Sequence, residues 1–210
     1  MSLVKLIAQA DERGLAASGL GCLDRCLPPR GDGADILRPL WAGVVSGEQD
    51  WSARLSAARE ALENAAGADD TVTTARDATG IVRAVLGAAP SDWAAEPLRS
   101  WADSCSVAAL RIHRAFDTVG ESEGDAAEEW LGRCREDAGA VTDAVAGADG
   151  AAGVDGVGPL VAGELRRQIR ILEILAETAG AAGLRQAMDL STEGQRVLRA
   201  VVSRRARAAG

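Results

Sequence analysis

Apolar side chains recur along this chain at three- and four-residue spacings, and no segment alternates convincingly with a period of two. With 3.6 residues per turn, that spacing gathers apolar positions onto one helical face, whereas a half-buried strand needs the period-two pattern. Leu3, Leu6, Ile7 and Ala10 open a first amphipathic helix. A second covers Leu15 to Leu27, weakened by Gly19 and Gly21 and stopped by Pro28-Pro29, which lack the amide a continuing helix needs. Arg30-Gly31-Asp32-Gly33 reads as a turn, after which Asp35 caps a short helix through Leu37, Leu40, Trp41 and Val44.

Asp50 is the expected N-cap of a helix buried along Trp51, Leu55, Ala58 and Leu62 and ended at Gly67. Val72, Ala75, Thr79, Val82 and Leu86 make the next stripe. Ser91 is read as the cap of a helix that Pro97 either kinks or occupies in an early turn, with Trp101, Cys105, Ala108, Ile112, Phe116 and Val119 inward. The clearest seam runs through Ala127, Trp130, Cys134, Ala138, Val141 and Val145, predicting one unbroken helix of about five turns. Gly147 to Gly158, rich in Gly, Ala and Asp, is expected to be a mobile loop or lobe boundary. Leu160, Val161, Leu165, Ile169, Leu172 and Ala176 predict a long helix ending near Gly180 to Gly183. Ser191 or Thr192 is then read as the cap of a last helix, with Val197, Leu198, Val201 and Val202 on its apolar face. The pattern predicts one all-α domain over residues 1–210, an antiparallel helical bundle or irregular α array of about seven to nine helices.

Composition changes how such helices must hold together. Much of the 47% hydrophobic fraction is alanine, so each buried position removes little apolar area from water and helices must approach closely. No apolar run is long enough to cross a membrane. The start reaches Asp11-Glu12-Arg13 before a signal-peptide core can form, so a cytoplasmic location is expected. Cys22, Cys26, Cys105 and Cys134 are too dispersed for a disulfide framework and read as small buried hydrophobes. Lys5 is the only lysine; with abundant Ala, Gly, Asp and Val, this suggests a high-GC bacterial coding sequence.

The side-chain inventory excludes much chemistry. His113 is the single histidine, and there is no tyrosine. Histidine-rich zinc sites and histidine triads therefore cannot form, and Leu110 stands where a Glu-x-x-His di-metal motif needs glutamate. His113 lies between Arg111 and Arg114 at the flank of its stripe and reads as a boundary residue with a structural hydrogen bond. Glu60/Glu63, Asp69/Asp70, Glu128/Glu129 and Glu136/Asp137 leave a carboxylate-only magnesium site open, though solvated acidic faces are the simpler reading. No glycine-rich phosphate loop is present. No catalytic residue, cofactor or metal ligand is assigned.

Charge carries the one clear asymmetry. Residues 1–159 hold 14 basic and 26 acidic side chains, whereas residues 160–210 hold 9 and 5. Arg166, Arg167, Arg170, Arg196, Arg199, Arg204 and Arg205 form a candidate anion or partner patch; alternatively they complement helix dipoles and neutralise the acidic body. Three functions follow. The leading expectation is a non-enzymatic protein-interaction module that binds a partner protein or itself as a homodimer. The alternative is a helical small-molecule binder or enzyme with an Arg/carboxylate pocket. Nucleic-acid binding through the C-terminal arginines comes third, because an acidic chain repels phosphate backbones.

Overall fold

A computed structural model gives the structure of the protein and describes residues 1–27, 36–64, 73–117, 125–147 and 157–208. Among the described residues the only regular elements are ten α-helices. They are α1 (Leu3–Gln9), α2 (Glu12–Cys26), α3 (Arg38–Ser46), α4 (Trp51–Asn64), α5 (Thr73–Gly87), α6 (Ala95–Asp117), α7 (Asp125–Glu136), α8 (Ala138–Gly147), α9 (Pro159–Glu177) and α10 (Gly180–Ala208). The fold is an irregular all-α array. The turn at 30–33, the Asp35 cap, the Gly67 stop and nearly all of the 147–158 stretch lie outside the described residues.

Helix α2 is the hub. Between Gly14 and Cys26 every residue except Asp24 is buried, and α3, α6, α9 and α10 all pack against it. A helix sheathed on all sides is apolar or small all round, as Leu15-Ala-Ala-Ser-Gly-Leu-Gly-Cys22 is. The glycines that weaken it as an isolated helix are points of close approach. A Cβ on Gly19 would sit 2.8 Å from Cζ3 of Trp101 on α6. One on Gly21 would crowd the Arg25 guanidinium, Ile171 of α9 and Ser191 of α10. Asp11 starts the helix by accepting the Gly14 amide at 2.7 Å.

A second packing centre is aromatic. Trp51 of α4 meets Trp93 and Trp101 edge-on, with ring centroids 5.2 and 6.1 Å apart. The buried indole N–H groups are satisfied: Trp51 donates to the Pro90 carbonyl at 2.8 Å and Trp101 to Val85 at 3.0 Å. Arg59 of α4 closes the end of α5, donating to the carbonyls of Leu86, Gly87 and Ala89. The predicted stripe Trp51, Leu55, Ala58 and Leu62 is buried throughout.

Three boundaries differ from the sequence reading. The seam from Ala127 to Val145 is two helices, because the chain start intervenes where α7 meets α8. The Gly139 amide donates to the Met1 carbonyl at 3.1 Å rather than within its own helix, and Ser2 donates to Glu136. Helix α10 runs unbroken through the supposed cap: Ser191 is buried mid-helix and donates to the Gly21 carbonyl at 3.1 Å. Helix α6 begins at Ala95, with the Leu98 amide bonded to the Ala94 carbonyl, so Ser91 precedes it in the loop. Asp50 does precede α4, but at a φ of 67°, outside the extended geometry of a side-chain cap.

Candidate functional site

The chemistry-bearing groups converge where α2, α6, α9 and α10 meet. Arg25 of α2 and Glu164 of α9 are both fully buried and form a two-pronged ion pair, Nε to Oε2 at 2.7 Å and Nη2 to Oε1 at 2.6 Å. Arg25 Nη1 also donates to the Ser191 hydroxyl at 3.4 Å, and Nη2 to Cys22 Sγ at 3.6 Å. Gln168, one turn along α9, donates to Glu164 Oε1 at 2.9 Å and accepts from Ser106 of α6 at 2.6 Å. Arg135 of α7 donates to Ser106 at 3.2 Å and pairs with Asp103 at the surface. A continuous hydrogen-bond chain thus joins Ser191 on α10 to Asp103 on α6 through five helices.

Electrostatics follows from this packing. Burial alone penalises the Arg25 charge, but Glu164, by charge and by hydrogen bonding, outweighs it and keeps the guanidinium firmly protonated. Burial would likewise raise Glu164; Arg25, His113 and the Gln168 hydrogen bond together hold it below the ordinary carboxylate range. The pair is therefore ionised inside the protein. Burial pushes the Cys22 thiol up to about 12 and raises Cys26 and Cys105 as well, so these thiols are not nucleophiles at neutral pH.

His113 lies in this centre rather than at a stripe boundary. Its Nδ1 is 2.8 Å from the Ala109 carbonyl, an acceptor only, so Nδ1 carries the proton. Nε2 then turns its lone pair toward Glu164 Oε2 at 3.7 Å. Burial lowers its pKa, Glu164 and the Ala109 hydrogen bond oppose that, and Arg25 and Arg167 lower it further. The ring is neutral at pH 7. Its charged neighbours come from α2 and α9, whereas the sequence suggested Arg111 and Arg114. One turn on, Asp117 accepts the Leu160 and Val161 amides at 3.1 and 2.9 Å and so caps α9.

The seven arginines of the candidate patch are dispersed. Arg166 donates to the Thr142 carbonyl of α8, and Arg170 pairs with Glu173 and Glu177 on its own helix. Arg205 turns inward to the Phe116 carbonyl and lies over the Phe116 ring. Arg167 is half-buried between α9 and α10. Arg196, Arg199 and Arg204 stay exposed on the outer face of α10. Of the acidic pairs, Glu60, Glu63, Glu129, Glu136 and Asp137 are exposed, and Asp69/Asp70 lie outside the described residues. Among the described residues no group of three or more His, Cys, Asp or Glu side chains is arranged to hold a metal ion, and no helix is long and apolar enough to cross a membrane.

The sequence reading missed Arg25 and Glu164. The signal was present on α9, where Glu164 and Gln168 interrupt the apolar positions Val161, Leu165 and Leu172 at helical spacing. No family model, curated protein or solved structure matches the chain.

Proposed function

We propose that the chain is a helical protein-interaction module that self-associates through the outer face of α10. The carrying observation is a single outward stripe. Arg196, Arg199, Ala200, Ser203 and Arg207 recur at three- and four-residue spacings, flanked by Val197 and Arg204, and all are exposed. No Asp or Glu occurs from Gly194 to Gly210. The stripe combines arginines with an exposed apolar side chain, Val197, at 37%. Arginine is favoured at interface centres, and a small apolar anchor adds desolvated contact.

Charge points to a second copy as the occupant. The same chain carries a large acidic excess over residues 1–159, so the stripe of one copy is complementary to the body of another. The interior supports the same division of labour: the Arg25–Glu164 pair is fully buried, with all three Arg25 nitrogens and both Glu164 oxygens engaged inside the protein.

Sedimentation equilibrium at low and high salt tests this. Wild-type chain is expected to self-associate at low salt and dissociate as salt screens the contact. A variant carrying Arg196→Glu, Arg199→Glu and Arg204→Glu is expected to stay monomeric with unchanged helicity. A wild-type monomer under all conditions overturns the proposal. So does salt-dependent retention of a short DNA duplex by the monomer, which assigns the stripe to nucleic acid.

A further inference from the structure

We propose that the junction of α2, α6, α9 and α10 is a proton-operated latch, in which protonation of the buried His113 releases α10 from the other three helices. The way the imidazole is held leaves one place for an added proton. Nδ1–H is committed to the Ala109 carbonyl one turn back, so a second proton enters at Nε2. That atom faces Glu164 Oε2 at 3.7 Å, an oxygen that already accepts Arg25 Nε at 2.7 Å. His113, Arg25 and Glu164 are all buried, so no solvent stands ready to take up the new charge. The latch is a property of the interior and holds whether or not the outer face of α10 binds a second copy.

Charge makes that proton costly. Arg25 of α2 and Glu164 and Arg167 of α9 act on His113 directly, and Asp117 lies one turn along α6. At the rim, Asp24 of α2 faces Arg25 and Ser191, while α10 brings Glu193 toward Arg167 and Arg205 toward Asp117. With the ring neutral, Glu164 balances Arg25. An imidazolium adds a third cation where Arg25 and Arg167 already outnumber the one fully buried carboxylate. Opening the junction to water relieves it.

The element that yields is α10. Helices α2 and α9 are pinned by the two-pronged ion pair, and α6 and α9 by the 2.6 Å bond from Ser106 to Gln168. The hydrogen bonds that hold α10 over the centre are longer: Ser191 to the Gly21 carbonyl at 3.1 Å, Gln195 to the Asp24 carbonyl at 3.3 Å, and Arg25 to Ser191 at 3.4 Å. Gly194 seats the helix directly on the cations, since an added Cβ would collide with Arg25 Cδ and stand 2.8 Å from Arg167 Cδ. Farther along, Arg205 reaches the Phe116 carbonyl, so α10 runs from the ion pair to the end of α6 and spans the section that holds His113. The link from α9 is only Thr178 and Ala179, and α10 starts at Gly180 with φ at 70°, a backbone position where a turn of the chain swings α10 and leaves α9 in place.

Amide hydrogen exchange of the full chain from about pH 7.5 to about pH 5.5 tests the latch, at high salt so that surface association does not contribute. Corrected for the intrinsic effect of pH, protection of α10 is expected to fall by up to about tenfold per pH unit below 6.5, while α4 keeps its protection. Glu164 stays ionised over this range, and protonation of Asp24 or Asp117, both raised by burial, favours the closed chain. His113→Asn keeps a donor for Ala109 but takes up no proton, so its α10 protection is expected not to change with pH. Should that variant fail to fold, the wild-type chain decides alone, because its single histidine gives one ring signal to follow beside the exchange. Protection of α10 that stays flat with pH, a loss shared equally by every helix, or the same loosening in a folded His113→Asn chain overturns the proposal.

Discussion

Arg25 and the arginines on the outer face of α10 carry the same guanidinium into opposite surroundings. Arg25 has no exposed surface and spends its donors on Glu164, Ser191 and Cys22. Arg196, Arg199 and Arg204 stand in solvent, where water solvates the charge and salt screens it. The difference teaches that arginine content alone says little. A buried guanidinium fixes geometry because moving it strands a charge, and an outward one is available to a partner because nothing inside depends on it. The interior pair thus sets where α2, α6, α9 and α10 meet, and the outer stripe is left for association.

The largest effect should come from dividing the interior pair. Glu164→Leu leaves the Arg25 charge buried without a partner and is expected to cost about 3–5 kcal/mol in urea unfolding. The double variant Arg25→Met/Glu164→Leu removes both charges and should recover most of that loss. If the double variant is as unstable as the single one, the pair is not an isolated charge couple and the contrast with α10 fails.

Gly194→Ala should come next. The added methyl meets Arg25 and Arg167, and overpacking of about 1–3 kcal/mol outweighs the better helix propensity of alanine. Gly80→Ala is the control: its site on α5 has nothing within 4 Å, so there the propensity gain of up to about 1 kcal/mol should appear as added stability. Equal effects at both glycines would show that the α2–α10 contact yields freely.

The pH dependence is a smaller and more local test. His113 titrates lower in the folded chain than its ordinary value of 6.5, so below that value the unfolded chain binds more protons. Its contribution to stability is complete above pH 6.5 and is lost as pH falls below that and through the lowered folded value. Glu164 acts in the same direction below its ordinary 4.5, where protonation dissolves the pair. Asp117 opposes both: burial raises it above 3.8, so its protonation favours the folded chain. Stability measured by urea unfolding should fall from pH 6.5 downward, and His113→Asn should flatten the upper part of that fall. The smallest effect belongs to the outer face, where Arg196→Ser and Arg199→Ser should leave stability within about 0.5 kcal/mol of wild type.

The helices themselves were legible because burial of Leu, Val, Ile and Trp at 3.6-residue spacing decides where a helix lies. Trp51, Leu55, Ala58 and Leu62 illustrate this, all read from spacing alone and all buried. What spacing cannot carry is a long-range competitor for a backbone bond. The Met1 carbonyl takes the Gly139 amide and divides α7 from α8 across 138 positions of sequence. Ser191 misled for a related reason. Serine favours helix starts when its hydroxyl meets its own backbone, but here the hydroxyl donates to Gly21 on another helix. The polar centre was harder still, since Arg25 and Glu164 are ordinary surface residues by type and become partners only through the packing of α2 on α9.

The division between interior and outer arginines meets its most direct test in sedimentation equilibrium of the Arg25→Met/Glu164→Leu chain at low salt. The account predicts a folded protein that self-associates as the wild type does and dissociates over the same salt range. A folded double variant that remains monomeric while the wild type associates would contradict it, and would place the association in the interior pair.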